Sequence, residues 1–504
     1  MKTVVLLTAG TGSRMGKYAD VTNKTLLPIE GKAIISHIIE QFDSTNTRFI
    51  IAVGYKQQLV IDYVSLAHRD LNVTYVHVED FSTSTSGPAQ SLLSCRPEIG
   101  EGTPFYVIAC DALYEGLDSI TEEMNTICAS RIDPIESPAY CNLVVHPDRI
   151  EVVDKKFCTS GLAFNGGAFI KDAVTFWKNL SGTELSSGLA SLDCCVQETG
   201  WVDLGTFEKY QNYLLKTTPC DFSKTAEMLY IINGKVIKWF SDESITINRL
   251  LRTKSREKLF PAISDRRNGF YAYDFVPGKV LYDCITPEIF DEFLRWLSFE
   301  FWPTHVACTD LDNHCYAFYF EKTMQRLQAF KEKHPDFNPT FINGEPMKLT
   351  MEEGLKQLDW DAICQSDLYQ RSAFIHGDLQ FDNVIYDGGK FTALDWRQDF
   401  AGDLEVGDLY YDIAKLKGGL ILCYDAIKRG EFKFTEEEEG HYTARRFKRF
   451  EYDAYIDKLE HLLPNPVIDD IVTLIFLNMA PLHSEPLDKF LFCIALERLN
   501  DKRK

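Results

Sequence analysis

Short apolar runs alternating with helical patterns dominate the first two hundred residues of the chain. Thr3 to Leu7, Arg48 to Val53, Val73 to Val78 and Phe105 to Ile108 are β-rich, and amphipathic stretches such as Ile34 to Phe42 lie between such runs. This alternation predicts parallel strands joined by crossover helices, an α/β architecture. The polar, proline-containing segment Lys216 to Lys224 breaks the pattern and reads as a junction, which gives a first domain over 1–218. Beyond it, Met228 to Ile232 and Lys235 to Phe240 flank Asn233-Gly234, a favoured two-residue hairpin turn. A second domain over 225–504 follows, with a small β-containing lobe over about 225–285 and a helical lobe over about 286–504. The helical patterns are Ile289 to Phe301, Phe318 to Lys333 and Ile468 to the end, interrupted by the segment Phe374 to Leu416 with its apolar strand Phe391 to Leu394. The acidic run Glu436 to Glu439, beside Arg445, Arg446, Lys448 and Arg449, reads as a solvated helical surface.

Composition narrows the classes. With 504 residues, 45% hydrophobic and 13% aromatic, the chain can bury large cores in two or three domains. A formal charge of −21 and a pI near 5.0 argue against a nucleic-acid partner, because phosphate backbones require a basic face. The opening MKTVVLLTAGTG is too short for a signal h-region, and no stretch approaches a membrane span, so a soluble, cytoplasmic protein without membrane insertion is expected. The 14 cysteines are scattered without C-x-x-C pairs and read as reduced thiols, with Cys194 and Cys195 as packing residues. Oligomeric state stays open, a homo-oligomer included.

Two segments carry candidate chemistry. Leu6 to Gly16 places Gly10, Gly12 and Gly16 after an apolar strand, where backbone amides can cradle phosphates. The spacing fails the dinucleotide fingerprint and lacks the G-K-[ST] of a P-loop. Arg14 and Lys24, in NKTLLPIEGK, add the cations that a reaction between two phosphate anions needs. Together these motifs resemble the sugar-nucleotide type nucleotidyltransferases, with Asn23 standing where that family usually has proline. The resemblance extends to YVIACDAL, ending in Asp111 and its neighbours, and to WVDLGTFEKY, which holds Asp203. It implies a doubly wound, Rossmann-like mixed sheet with Asp111 and Asp203 converging on one Mg²⁺. It further implies nucleotide contacts from Gly10, Gly12, Ser13, Gly87 and Gln90, and acceptor contacts from Asn165, Gly167 and Lys155, for which Lys156 is an alternative.

The second segment reads FIHGDLQFDNVIYDGGKFTALDWRQDFAGDLEVGDLYYDIAKL. Asp378 sits in a His-Gly-Asp turn, Asn383 follows five positions on, and Asp395 closes the next apolar strand. An acid to accept a hydroxyl proton, plus an amide and an acid to hold magnesium on ATP, are the parts phosphoryl transfer requires. This segment resembles the aminoglycoside phosphotransferase and choline kinase superfamily, which implies a bilobal, protein-kinase-like α+β domain. The resemblance makes Asp378 the catalytic base, Asn383 and Asp395 the Mg²⁺ ligands, and Asp408 and Asp412 structural supports. His376 is expected to orient the loop. Lys238 stands where such kinases carry the lysine on the α- and β-phosphates, but its usual glutamate partner is missing: the following segment offers Arg249, Arg252, Arg256, Glu257 and, in the loop before it, Glu243.

A kinase makes a phosphate monoester and a nucleotidyltransferase consumes one. Their union implies a bifunctional enzyme that phosphorylates a small alcohol with ATP and couples the product to an NTP. The alcohol is choline-like, a polyol or a sugar; resemblance favours CTP for the first two and UTP or GTP for a sugar. Aromatics such as Trp296, Phe299, Phe301, Trp302, Tyr410 and Tyr411 would suit a quaternary ammonium but are more simply core, and Arg397 points to an acidic or polyhydroxy acceptor. Products of this kind feed bacterial capsule or lipopolysaccharide.

Overall fold

The computed structural model describes the chain apart from residues 84, 147–148, 218–224, 255, 303–309, 366–367 and 502–504. The expected junction therefore lies mostly outside the described residues. Two compact units emerge. The first comprises Met1–Leu214, Ser223–Glu243 and Ser264–Phe275, and the second principally Ser244–Ile263 and Val276–Lys504.

In the first unit, strand Lys2–Leu7 runs parallel between Thr47–Val53 and Phe105–Ala109, with Val73–His77 parallel at the edge beyond Thr47–Val53. Val4, Val5 and Leu6 are fully buried, as strands covered on both faces must be. Leu162–Ile170 turns the sheet antiparallel against Phe105–Ala109, and the nine-stranded, mixed sheet continues through Asn125–Arg131 and Cys194–Glu198. The four strands expected near the N-terminus are thus present within a residue of their limits. The helix expected to reach Phe42 spans only Ile34–Ile39. Just past its C-cap, Gln41 donates its side-chain amide to the carbonyls of His37 and Tyr114 at 3.2 and 2.8 Å.

The hairpin forms as its turn chemistry dictates, Glu227–Ile232 against Lys235–Phe240, with Asn233 at φ 50° and Gly234 at φ 71°. Alternation buries Met228, Tyr230 and Ile232 on one face. That face joins the first unit's core: the Tyr230 ring lies 4.6 Å from Tyr63, and its hydroxyl donates to the Leu26 carbonyl at 2.7 Å. Asn233 donates to Ala67 O at 2.8 Å and Asn268 to Asp62 at 2.6 Å.

The second unit is a set of helices and small sheets around one large apolar cluster that includes the fully buried Trp396 and Phe374. Its helices depart from the sequence pattern in identifiable ways. Ile289 to Phe301 is an α-helix, Pro287–Trp296, that opens into a π-helical turn, Leu297–Phe301. Phe318 to Lys333 likewise begins as the π turn Tyr316–Glu321 before helix Lys322–Lys333. The stretch from Ile468 onward is two helices, Val467–Met479 and Leu487–Asp501, broken where Pro481 and Pro486 remove backbone donors. The acidic run is not helical. It lies on strand Phe432–Glu438, paired with His441–Arg446 around Gly440 at φ 78°. Phe432 and Phe434, two apart, pack on the core while Glu436 to Glu439 face solvent, a period-two pattern hidden by the charges.

All twelve cysteines among the described residues are free. No helix among them is long and apolar enough to cross a membrane.

Two substitutions probe these cores. Tyr230→Ala removes a buried ring and is expected to cost the first unit about 3–5 kcal/mol, read from denaturant unfolding followed by a probe in that unit. In the second unit, Arg371 clasps Asp408, both fully buried, with Nε donating to Oδ1 at 3.0 Å and Nη2 to Oδ2. Asp408→Ala strands the guanidinium and is expected to cost about 3–5 kcal/mol in the same measurement.

Candidate active sites

The first cluster forms where the central strands end. Phe105–Ala109 delivers Asp111, and Gly200–Asp203 pairs antiparallel with Ala112–Glu115 so that Asp203 stands opposite Ala112. Register alone brings the two aspartates together. A Cβ placed on Gly205 would lie 3.0 Å from Asp203 Oδ1, 3.6 Å from Asp111 Oδ2 and 3.6 Å from Arg14 Nη2, so these three groups surround one point. Lys24 Nζ donates to Asp111 Oδ2 at 2.6 Å. Burial works to raise the Asp111 carboxyl, but Lys24 and Arg14 outweigh it and hold the group below its usual range.

Lys24 is aimed by Asn23. The Asn23 side chain caps the turn Lys24–Leu26 by accepting from the Thr25 amide at 3.0 Å, and donates to Thr8 O and Tyr55 O at 3.0 and 2.8 Å. The glycine-rich loop, with Gly12 at φ 64°, lines a cleft of about 260 Å³ together with Ser13, Arg14, Lys24, Gly87, Gln90 and Asp111. At Gly87 a Cβ would lie 2.3 Å from Thr183 O, so the helix Pro88–Ile99 can begin there only with glycine.

Other expected residues sit elsewhere. Asn165 is buried, donating to Ser130 Oγ at 3.1 Å and Thr199 Oγ1 at 2.8 Å and accepting from Gly167 N at 3.2 Å, so its amide is committed to the sheet. Lys155 is exposed and paired with Glu184 at 2.5 Å. Neither lines the cleft. Lys209 went unnoticed, although it stands in the WVDLGTFEKY motif: from the first turn of helix Phe207–Thr217 it donates to Asp203 Oδ2 at 2.5 Å, beside Tyr140, whose hydroxyl reaches the same oxygen at 2.8 Å.

The second cluster is built on the His376-Gly377-Asp378 turn. Asp412, fully buried in helix Leu409–Leu422, accepts the amides of His376 and Gly377 at 2.7 Å each and the Trp302 indole at 3.1 Å. Burial raises its carboxyl to about 6 despite those donors. His376 Nδ1 accepts from the Asp378 amide at 3.1 Å, which leaves Nε2–H to donate to Leu394 O at 2.7 Å. The ring is neutral and ties the loop to the strand end that carries Asp395. Asn383 donates to Asp378 O at 2.8 Å, leaving its own carbonyl oxygen for another partner, and Asp395 takes the left-handed φ of 54° beside Arg249, 3.3 Å away.

The arginines of the helix Glu243–Thr253 support this loop. Arg252, 2% exposed, donates to the carbonyls of Leu404, Ile375 and Arg397. Glu243 pairs with Arg266, and Lys238, 6% exposed, lies in register with Leu229 and Tyr271 in the first unit. Lys415 also escaped the sequence reading. It lies seven residues after Asp408 on the helix Leu409–Leu422 and sits 2.7 Å from Asp378 Oδ1. Burial opposes the charges of both, yet the pair wins: Asp378 is held below its usual range and Lys415 raised above its own.

Among the described residues no group of three or more His, Cys, Asp or Glu side chains is arranged to hold a metal. Magnesium, however, takes one or two protein oxygens and completes its shell with phosphates and water. Asp111 with Asp203, and Asn383 with Asp395, offer hard oxygen donors that fit that requirement.

His376 gives a direct check. Burial depresses its imidazole to about 4, from an ordinary 6.5. Its ring resonances should therefore stay those of the neutral Nε2–H tautomer as pH falls from 7 to 5. A midpoint near 6.5 would contradict the hydrogen-bond assignment.

A model of the MobA-like NTP transferase domain matches residues 4–127, and one of the phosphotransferase enzyme family matches residues 234–453. The bifunctional protein GlmU of Methanococcus maripaludis is 29% identical over 134 residues, 27% of this chain and 30% of that protein. The UTP–glucose-1-phosphate uridylyltransferase AglF of Haloferax volcanii is 29% identical over 98 residues, 19% of this chain and 39% of its own. The chain thus spans 30% to 39% of the length of these two relatives. A solved UDP-glucose pyrophosphorylase complexed with UDP-glucose aligns at 17% identity and a TM-score of 0.36, over 43% of this chain and 99% of its own. The chain joins an N-terminal MobA-like NTP transferase domain to a C-terminal domain of the phosphotransferase enzyme family.

Proposed function

We propose that the chain catalyses two consecutive reactions, with a transferase over 1–218 and a kinase over 225–504. ATP first phosphorylates the hydroxyl of a small alcohol. The resulting phosphate monoester then attacks the α-phosphate of a nucleoside triphosphate, and pyrophosphate leaves. The observation that carries this reading is the presence in one chain of two separate carboxylate sets, each with its own cations: Asp111 and Asp203 with Lys24, Arg14 and Lys209, and Asp378 and Asp395 with Lys415 and Arg249.

At the kinase site, Asp378 receives the proton of the acceptor hydroxyl as its oxygen bonds to the γ-phosphorus. Lys415 keeps Asp378 ionised and therefore a weak base, which suits a loose transition state in which the proton departs late. His376 and Asp412 hold the turn without touching substrate. Magnesium bound by Asn383 and Asp395 would supply positive charge to the ATP phosphates.

At the transferase site, the amides of Gly10, Gly12 and Ser13 cradle the triphosphate, and Arg14 and Lys24 offset the charge gathering on the α-phosphate. Gly87 and Gln90 meet base and ribose. Magnesium held by Asp111 and Asp203 would bind the same phosphates. Asn165 and Gly167 shape the acceptor side from the sheet, and Lys155 reaches the acceptor phosphate by leaving Glu184.

We assign CTP as the nucleotide for a choline-like or polyol phosphate, giving an activated precursor for capsule or lipopolysaccharide in the cytoplasm. A second reading, a sugar 1-kinase with UTP or GTP, is favoured by the similarity of the N-terminal residues to a uridylyltransferase named for UTP and glucose 1-phosphate. The complete set of acid, amide and second acid supports turnover over a nucleotide-binding scaffold.

Asp378→Asn should abolish ATP-dependent phosphorylation and spare pyrophosphate release from added phosphate ester plus NTP. Asp111→Ala should do the reverse. Loss of both activities in either variant would overturn the two-site reading, and a panel of four NTPs against phosphate monoesters separates CTP from UTP and GTP.

A further inference from the structure

Three basic side chains, Lys322, Arg326 and Arg397, gather near Asp378, and none forms an ion pair with a described residue. Lys322 opens the helix Lys322–Lys333 directly after the π turn Tyr316–Glu321, and Arg326 follows one turn later on the same face. Arg397 comes two residues after Asp395 and donates its amide to His376 O at 2.8 Å. The Phe318 ring lies beside two of them, with Lys322 Nζ 4.0 Å and the Arg397 guanidinium carbon 4.7 Å from its centroid. That ring is itself fixed by Phe400 at 4.4 Å and Tyr411 at 4.8 Å. The stem of Arg397 lies against the catalytic turn, since a Cβ on Gly377 would come within 2.5 Å of Arg397 Cβ.

None of the three has an ion-pair partner among the described residues, and Arg397 Nε is buried without a hydrogen bond. Burial and the neighbouring Arg397, Arg326 and Lys415 push the Lys322 ammonium down to about 6 against the pull of Asp378, so a bound anion would restore its charge at neutral pH. In a chain of net charge −21, cations packed together without counter-charge are held at a cost that a bound anion offsets. π turns of this kind recur at functional sites.

The sign of the cluster also bears on the acceptor. Phe318, the aromatic ring beside these groups, already carries two basic groups within 4.7 Å of its centroid, a setting that repels a quaternary ammonium. Trp296, Phe301, Trp302, Tyr410 and Tyr411 are buried in the core.

We propose that the kinase acceptor is itself an anion, a hydroxy compound whose carboxylate or phosphate sits among Lys322, Arg326 and Arg397 while its hydroxyl meets Asp378. This rests on the kinase reading of the second unit and, among the acceptors considered there, narrows the choice to acidic polyols or sugars in place of a choline-like alcohol. The hydroxyl oxygen bonds to the γ-phosphorus of ATP, the bond from that phosphorus to the β-bridging oxygen breaks, ADP departs, and the proton passes to Asp378. The original anion is unchanged, so the product carries two acidic groups.

The test uses the full chain, ATP and matched acceptors: glycerol, glycerate and glycerol 3-phosphate; glucose, glucuronate and glucose 6-phosphate; and choline. Acidic members should exceed their neutral partners at least about tenfold in kcat/KM, the carboxylate and phosphate arms showing which oxyanion is bound. Lys322→Met and Arg326→Gln should each raise the acceptor KM about tenfold to a hundredfold, as the loss of one charge-assisted hydrogen bond does, with the ATP KM unchanged. An unchanged ATP KM together with an unchanged denaturant midpoint of the second unit shows that each variant is folded. Equal turnover of neutral and acidic members, preference for choline, or a shift confined to the ATP KM would overturn the proposal and leave the kinase reading standing. No phosphorylation of any acceptor would overturn both.

Discussion

Each carboxylate set at the centre of the candidate chemistry is held by its own cations. Lys24 holds Asp111, Lys209 holds Asp203, Lys415 holds Asp378 and Arg249 stands on Asp395. The constraint behind this is simple: phosphate anions must be brought to carboxylate anions. Without local positive charge, neither substrate nor metal ligands could be assembled in a strongly acidic chain. Lys24 and Lys415 keep Asp111 and Asp378 ionised against burial, and all four contacts hold the carboxylates in place. They also set a limit, because a carboxylate held by an ammonium is a poor base, and the chemistry must tolerate that.

The two sites reach the same solution by different backbone devices. In the first unit, parallel strands end together and a short antiparallel pairing places Asp203 opposite Ala112, so convergence comes from sheet register. In the second, a buried carboxylate, Asp412, gathers the amides of a turn, and a buried guanidinium, Arg252, gathers three carbonyls. Neither of those two groups faces substrate, yet Asp378 could not hold its position without them. Their burial is tolerable because nearly every donor and acceptor finds a partner.

Four of the nine strands of the first unit's sheet, the hairpin and both motifs were legible in the sequence because they are local: apolar runs, glycine spacing, and acids a few residues apart. The cations that hold the acids were less legible. Lys415 is 37 residues from Asp378 and Arg249 is 146 from Asp395, distances that only the fold closes. Lys209 stood inside a recognised motif, but nothing about a lysine at the start of a helix distinguishes it from a solvated one. Asn23 read as a minor departure and is a cap that aims Lys24. The helix of Arg249 and Arg252 looked deficient for want of a glutamate; its arginines hold Asp395 and the carbonyls of Ile375, Arg397 and Leu404. Charge misled at Glu436 to Glu439, where a β-hairpin with a solvent face carries the same residues a helix surface would. Two prolines were underweighted near the C-terminus.

The hairpin around Asn233-Gly234 bears on how such a chain could arise or be taken apart. Its strands fill the wall of the first unit, and the backbone passes between the two compact units several times before residue 276. A recombination event at the polar junction near residue 220 would leave Tyr63 facing water and the hairpin without its floor. Exchange of either catalytic half by simple cutting and joining is therefore disfavoured, and inheritance of the pair as one gene is built into the way the first core is closed.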